Sequence, residues 1–403
     1  MDTKASKAHP QSTRGKGQWR RFMRRLLATF LLIVALISAG LSLVPNGRAA
    51  VRAAFLLPAL VTAEEPAPLA LLGEPIVHTR ETIAGSYEPI YLDIFAPAAP
   101  PPPVPGVREG VLVIAGVGDN RTDAQYLNLM RSLARSGLVA VAMTTPTLMA
   151  YRLLPQETDA IVTAFQQLIH MPHVGTARSG ILGFSAGGSL ASVAVTDPRI
   201  RHSVAFVTSF GGYFDAETLL ADLGRRAVEV NGKSVAWQPS LVTVQVLANS
   251  IATTLPPADG QILQNAVAAG ARQLTAQQIA SLSPAGQAAY HLLAGDQPAR
   301  VDANIAALPG EAHVLLARLS PAHVVPGIQT PIYILHDRND IFVPFTQSRA
   351  FAAALDAAQK PHEFVEFSIF QHVEVRSGLG LSQLLGDGFS LFRVLTSLLL
   401  PAS

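Results

Sequence analysis

Gly183-Phe184-Ser185-Ala186-Gly187-Gly188 is the stretch on which the reading of this 403-residue chain turns. Arg178–Leu182 leads into it as a strand, and Ser189–Val195 continues from it as a helix. A serine on so sharp a strand-to-helix turn must accept strained backbone geometry, and the glycines two positions either side prevent steric collision. The turn also sets Ser185 at a helix N-terminus, where unpaired N–H groups and the helix dipole favour a developing oxyanion. G-x-S-x-G alone recurs by chance. Flanked by a strand and a helix, it marks an exposed nucleophile.

Outward from that turn, strand and helix signals alternate. Ile90–Phe95, Gly110–Ala115, Leu138–Met143 and Ser203–Ser209 read as strands, with helices at Ala124–Ser136 and Pro155–Ile169. The pattern resumes with a strand at Pro331–Leu335, a helix at Gln347–Ala358 and a last strand at Glu363–Ile369. Alternation of this kind implies an α/β fold with a mostly parallel sheet flanked by helices. Residues 81–212 and 321–403 form its core on this reading. Between them, 213–320 is rich in Ala, Leu and Gln and reads mostly as helix, with no clear strand partner. Its apolar residues, among them Leu219, Leu220, Leu241, Val246, Ile251, Leu263 and Leu274, need a surface to bury against. The open C-terminal edge of the sheet is the nearest one, so a helical cap over the active site is expected. A separate appendage or a dimer interface is the alternative.

A nucleophilic serine needs a base and an orienting acid, which a parallel sheet supplies from loops after later strands. Asp340 lies in His336-Asp337-Arg338-Asn339-Asp340-Ile341-Phe342-Val343-Pro344, directly after Pro331–Leu335. Asp215, after Ser203–Ser209, is the alternative acid. Only His362 and His372 follow Asp340. His362 precedes the final strand and His372 follows it, so His372 is the candidate base.

With the three positions in this order, the chain resembles the α/β-hydrolase superfamily over roughly residues 85–400. GFSAGG and the spacing look like its dienelactone-hydrolase and acyl-peptidase-like branch. The resemblance implies a catalytic triad of Ser185, Asp340 and His372, and an oxyanion hole from the backbone N–H groups of Ala186 and Val117. There are two departures. Ala115-Gly116-Val117-Gly118-Asp119-Asn120 stands where the family carries His-Gly, and Asp337 replaces a usual glycine. No cofactor is implied. His170, His173, His202, His291, His313 and His323 are scattered without metal-ligand spacing, so no metal is expected.

Composition restricts the setting. Hydrophobic residues make up 49% and charged residues 14%, and mean hydropathy is +0.31, so part of the chain is either membrane-embedded or unusually apolar. Lys4, Lys7, Arg14, Lys16, Arg20, Arg21, Arg24 and Arg25 against Asp2 give +7 in the first 25 residues, which leaves −5 of the net +2 for the remainder. A mildly acidic folded part has no electrostatic support for a nucleic-acid partner. The absence of cysteine excludes disulfides, thiolate metal sites and a thiol nucleophile.

Leu26–Val44 is an uncharged run of 19 residues. As a helix it spans roughly 28 Å, close to the ~30 Å hydrocarbon core. Basic residues crowd its N-terminal side, so 1–25 reads as a cytoplasmic tail, 26–44 as a transmembrane signal anchor and 45–80 as a linker to an extracytoplasmic domain, its apolar, proline-interrupted part 51–72 being a juxtamembrane linker or an interfacial segment. A cleaved signal peptide, giving a secreted protein, is the alternative. The expectation is a membrane-anchored serine hydrolase, esterase-like, acting on a small or lipid-like acyl ester, thioester or amide. A peptidase, or a non-catalytic binding protein on the same fold, is the competing reading.

Overall fold

The computed structural model describes residues 45–60, 62, 66–101, 106–270, 273–368, 370–371, 374–375 and 381–399. Its strands are β1 (Ile76–Ala84), β2 (Pro89–Pro97), β3 (Arg108–Ile114), β4 (Val139–Thr144), β5 (Val174–Phe184), β6 (Val207–Phe210), β7 (Ala227–Val230), β8 (Lys233–Ala236), β9 (Ile332–Asp337), β10 (His362–Phe367), β11 (Phe370–Gln371) and β12 (Glu374–Val375). Eight of them form one sheet in the order β1-β2-β4-β3-β5-β6-β9-β10. β2 runs antiparallel to β1 and β4, and every other pair in this sheet is parallel. The C-terminal ends of β3, β5, β6 and β9 therefore lie at one edge, where Val117, Ser185 and Asp340 follow them.

The longer helices are α1 (Pro45–Leu56), α2 (Ala67–Leu72), α3 (Ala124–Arg135), α4 (Gln156–Ile169), α5 (Ala186–Ala194) and α6 (Ala216–Arg225). They continue with α7 (Leu241–Ile251), α8 (Pro257–Ala268), α9 (Pro284–Ala294), α10 (Gly310–Leu319), α11 (Phe345–Ala357) and α12 (Leu381–Leu399). Period-two alternation in the strands sends their side chains to two separate cores. Leu112 and Ile114 pack with Ile161, Phe165, Leu190 and Phe351 from α4, α5 and α11. Val111 and Val113 pack on the other face with Leu129 and Leu133 of α3, Ala53 of α1 and Leu399 of α12. Local sequence starts these helices where the chain needs them. Asp123 caps α3 by accepting from the Tyr126 amide at 2.7 Å, and Asp215 caps α6 by accepting from Thr218 N at 2.7 Å.

Three expectations meet a different structure. Residues 45–80 are not a linker: α1 lays Ala49, Ala53 and Leu56 against the core at 2% exposure or less, and β1 begins at Ile76. The i, i+4, i+7 spacing of those three residues is a helical face. Within 213–320, Ala227–Ala236 forms the hairpin β7–β8 instead of helix. Asn231 and Gly232 turn it with φ of 51° and 72°, as a type I′ turn requires. Leu241, expected to be buried, is 61% exposed, whereas Leu219, Leu220, Val246, Ile251 and Leu263 join the core shared with α4 and α5. The tail 1–25 and the anchor 26–44 lie outside the described residues. Among those described, no helix is long and apolar enough to cross a membrane.

Candidate active site

β5 ends at Phe184 and α5 begins at Ala186, so Ser185 alone makes the turn. Its φ of 51° and ψ of −134° lie where a side-chain-bearing residue is strained by about 1–3 kcal/mol. The surroundings over-determine that geometry. Ser185 N donates to Phe210 O at 2.7 Å, and Gly188 N donates to Ser185 O at 3.0 Å. A Cβ on Gly183 would fall 2.4 Å from Gly188 Cα, and one on Gly187 would fall 2.5 Å from Ile114 O. The glycines therefore let α5 lie directly on β3 and β5. Only hydrogen fits there.

Ala186 is the first residue of α5, so its amide has no acceptor within the helix. The loop after β3 comes close beside it. Gly116 has φ of +98°, and a Cβ there would lie 3.1 Å from Ser185 Cβ. Gly118 N donates to Leu148 O at 2.9 Å, and Asn120 Nδ2 donates to Val117 O and Gly118 O at 3.2 and 3.3 Å. Asp119 accepts from the Arg121 side chain and amide, and the guanidinium's hydrogen bond holds its carboxyl below the usual carboxylate range. This loop is pinned at both its carbonyls and its carboxylate.

Asp340 sits in the loop after β9, 4% exposed. Its Oδ1 accepts from Phe342 N at 2.7 Å and Val343 N at 3.0 Å. His336, fully buried, lies under the loop with Nε2 2.9 Å from Val343 O and 3.4 Å from Asp340 Oδ2. A carbonyl only accepts, so Nε2 carries the proton and Nδ1 faces the Ser348 hydroxyl at 2.5 Å. The sequence reading gave His336 no role, although it stands four residues before Asp340. Asp337, in place of the family's glycine, accepts from Asn339 N at 2.7 Å and Asn339 Nδ2 at 2.9 Å, tightening the same turn.

Asp215 stands elsewhere. Besides capping α6 it lies 3.9 Å from His323 Nε2, and its own amide donates to Gln347 Oε1. His362 enters β10 at the sheet's opposite edge, beside Lys360 O at 3.0 Å. His372 lies outside the described residues. Gln371 and Glu374, on either side of it, pair with each other just beyond β10. Among the described residues no three His, Asp or Glu side chains gather as metal ligands.

Ser185, Ala186 and Val117 floor an apolar pocket of about 580 Å³, its open mouth included. Leu153 and Val343 line it from the core, and Val246, Leu247, Leu316 and Leu319 line it from α7 and α10. The 213–320 segment is thus one wall of this pocket. It is also tied to the Asp340 loop: Trp237 Nε1 donates to Asp340 O at 3.2 Å, Ser240 N to Ile341 O at 2.8 Å, and Thr243 Oγ1 to Phe342 O at 2.8 Å. Four residues after Leu153, Glu157 is buried with Thr145 Oγ1 donating to it at 2.8 Å. Desolvation pushes its carboxyl up to about 7.

No family model and no curated protein matches this chain. Among solved structures, an esterase B from Lactobacillus rhamnosis is similar at 15% identity and a TM-score of 0.46, over 95% of this chain and 96% of that one. A puromycin-hydrolyzing peptidase from Mycobacterium tuberculosis is similar at 17% identity and 0.45, over 79% of this chain and 37% of its own. An acylaminoacyl peptidase from Pyrococcus horikoshii is similar at 13% and 0.45, over 80% and 40%. This chain spans about two fifths of the length of those two peptidases. Strand order, the one-residue turn at Ser185 and the pocket above it identify the fold without help from these likenesses. The described residues of this chain adopt the α/β-hydrolase fold.

Proposed function

We propose that this chain is a membrane-anchored serine hydrolase that cleaves an ester, thioester or amide of an apolar acyl group. The observation that carries the reading is Ser185, held in a strained one-residue turn at the floor of an apolar pocket. Strain of this kind persists only where surrounding structure enforces it, and it aims the hydroxyl at whatever fills the pocket. In this reading Ser185 Oγ attacks the acyl carbonyl while His372 takes its proton, with Asp340 orienting the imidazole and stabilising its charged form. The amides of Ala186 and Val117 hold the oxyanion. The proton then passes to the leaving group, and water releases the acyl group from Ser185.

Apolar walls from α7 and α10 favour an acyl chain over a charged side chain, which supports an esterase or thioesterase above a peptidase. In this reading 213–320 is a cap that sets acyl preference. The length of Leu26–Val44 and the basic run before it support an anchor with the catalytic domain outside the cytoplasm. Purified full-length protein assayed on acyl esters of graded chain length tests the reading. The expected result is turnover that peaks at one apolar chain length. A flat absence of turnover across the series, with the protein folded, would favour a binding protein instead.

A further inference from the structure

We propose that the edge of the domain bearing Leu71 and Leu72 rests on a lipid bilayer, and that the Ser185 pocket opens at the opposite edge, facing the aqueous phase. The inference rests on the anchor reading of Leu26–Val44 and adds to it an orientation and a contact surface.

The direction of α1 fixes the geometry. Arg52 Nη1 lies 3.3 Å from Glu109 Oε2, and Glu109 is the second residue of β3, at the N-terminal edge of the parallel strands. Further along, Leu60 O accepts from Gln125 Nε2 at 3.0 Å, and Gln125 is in the first turn of α3, at the edge where Ser185 lies. The chain therefore rises from the N-terminal edge of the sheet toward the C-terminal edge. Pro45, seven residues before Arg52, projects roughly 10 Å below Arg52 at 1.5 Å per residue. On the anchor reading, the bilayer therefore lies at the edge where Pro45 stands, away from the pocket.

Leu71 and Leu72 lie at that same edge. They are 81% and 77% exposed, the two most exposed large apolar side chains among the described residues. The segment that presents them is held firmly. Leu69 is buried, Glu74 N donates to Arg135 O at 3.0 Å, and the Glu74 carboxylate pairs with Arg108, the first residue of β3, at 2.7 Å. Two adjacent leucines held exposed on a pinned helix are apolar surface that a membrane interface can cover. Arg48 and Arg131, on the two helices that α2 packs against, are exposed and suit anionic headgroups. Since β3 alone spans roughly 20 Å, the pocket mouth stands at least about that far above the bilayer. Substrate then arrives from solution and is not drawn from the membrane beneath.

The chain has no cysteine, so one introduced thiol carries an environment-sensitive fluorophore without background. Full-length Leu72→Cys and Leu241→Cys would each be labelled and reconstituted in phosphatidylcholine–phosphatidylglycerol vesicles containing doxyl lipid. Leu241 starts the helix whose cap residue Ser240 bonds the Asp340 loop, so it reports on the pocket edge. The expected result is blue-shifted emission at 72 that doxyl lipid quenches, with water-like, unquenched emission at 241. Vesicle-bound protein whose label at 72 stays water-like would overturn the docking while sparing the anchor. Protein that fails to float with vesicles would overturn the anchor reading and the docking with it. A label at 72 that becomes buried with rising protein concentration, without lipid, would assign the face to a second copy.

Discussion

Trp237 donates its indole N–H to the backbone carbonyl of Asp340, 3.2 Å away, across 103 residues of sequence. The wall of the pocket and the loop of the candidate acid are therefore one hydrogen-bonded unit. Trp237→Phe keeps the ring and removes the donor, so about 1 kcal/mol of stability should be lost. Because the lost bond lies on the acid loop, kcat should also fall. Ser283→Ala, which removes a helix cap and a bond to the buried Asp259 carboxylate elsewhere in the segment, should cost at least as much stability and leave kcat alone. Equal kcat for the two variants would separate the wall from the acid.

Asp340 and Asp215 are both well-bonded carboxylates, but they are bonded to different things. Asp340 organises the loop that reaches Val343 on the pocket wall, and Asp215 caps α6. Asp340→Asn should lower kcat by roughly 10⁴-fold, as loss of a triad acid does. Asp215→Asn should leave kcat near wild type, since Asn caps a helix as well as Asp. Steady-state kinetics on the two variants decide the acid.

Much of this was legible because it rests on local rules. The strand at Gly110–Ala115, the helix at Ala124–Ser136 and the glycines around Ser185 each follow from a spacing or a steric limit, and the structure shows the close approaches those glycines permit. Asn231-Gly232 was equally legible as a hairpin turn, but the helix-forming composition around it outweighed a two-residue signal. α1 was missed because its Ala49-Ala53-Leu56 face becomes meaningful only against α12. β1 hides for a different reason. It is an edge strand whose residues are largely exposed, so it carries no run of apolar residues. His336 could not be assigned from sequence, because its role depends on a loop that folds back over it.

Glu157 gives a pH signature. Burial raises its folded pKa from the ordinary carboxylate range to about 7, so the neutral acid is favoured in the folded state. The stability it contributes is complete below its unfolded pKa and is lost as pH rises through about 7. The loss amounts to a few kcal/mol at order of magnitude, at ~1.4 kcal/mol per pKa unit. Glu157→Gln keeps an acceptor for Thr145 and should flatten the decline in Tm between pH 5 and 8. Asp222, pushed up to about 6 by burial, would leave a smaller slope below that pH. An unchanged Tm profile in the variant would mean that Glu157 does not titrate in this range.

An activated Ser185 reacts covalently with an electrophilic phosphonate, so labelling distinguishes a nucleophile from a structural serine. Full-length protein treated with a fluorophosphonate, then digested and mapped by mass spectrometry, reports which serine reacts. The expected result is one adduct, on the peptide containing Gly183-Phe184-Ser185-Ala186-Gly187-Gly188, lost in Ser185→Ala while the far-UV spectrum stays that of the wild type. No adduct on folded protein, or an adduct that persists in Ser185→Ala, would contradict an activated Ser185.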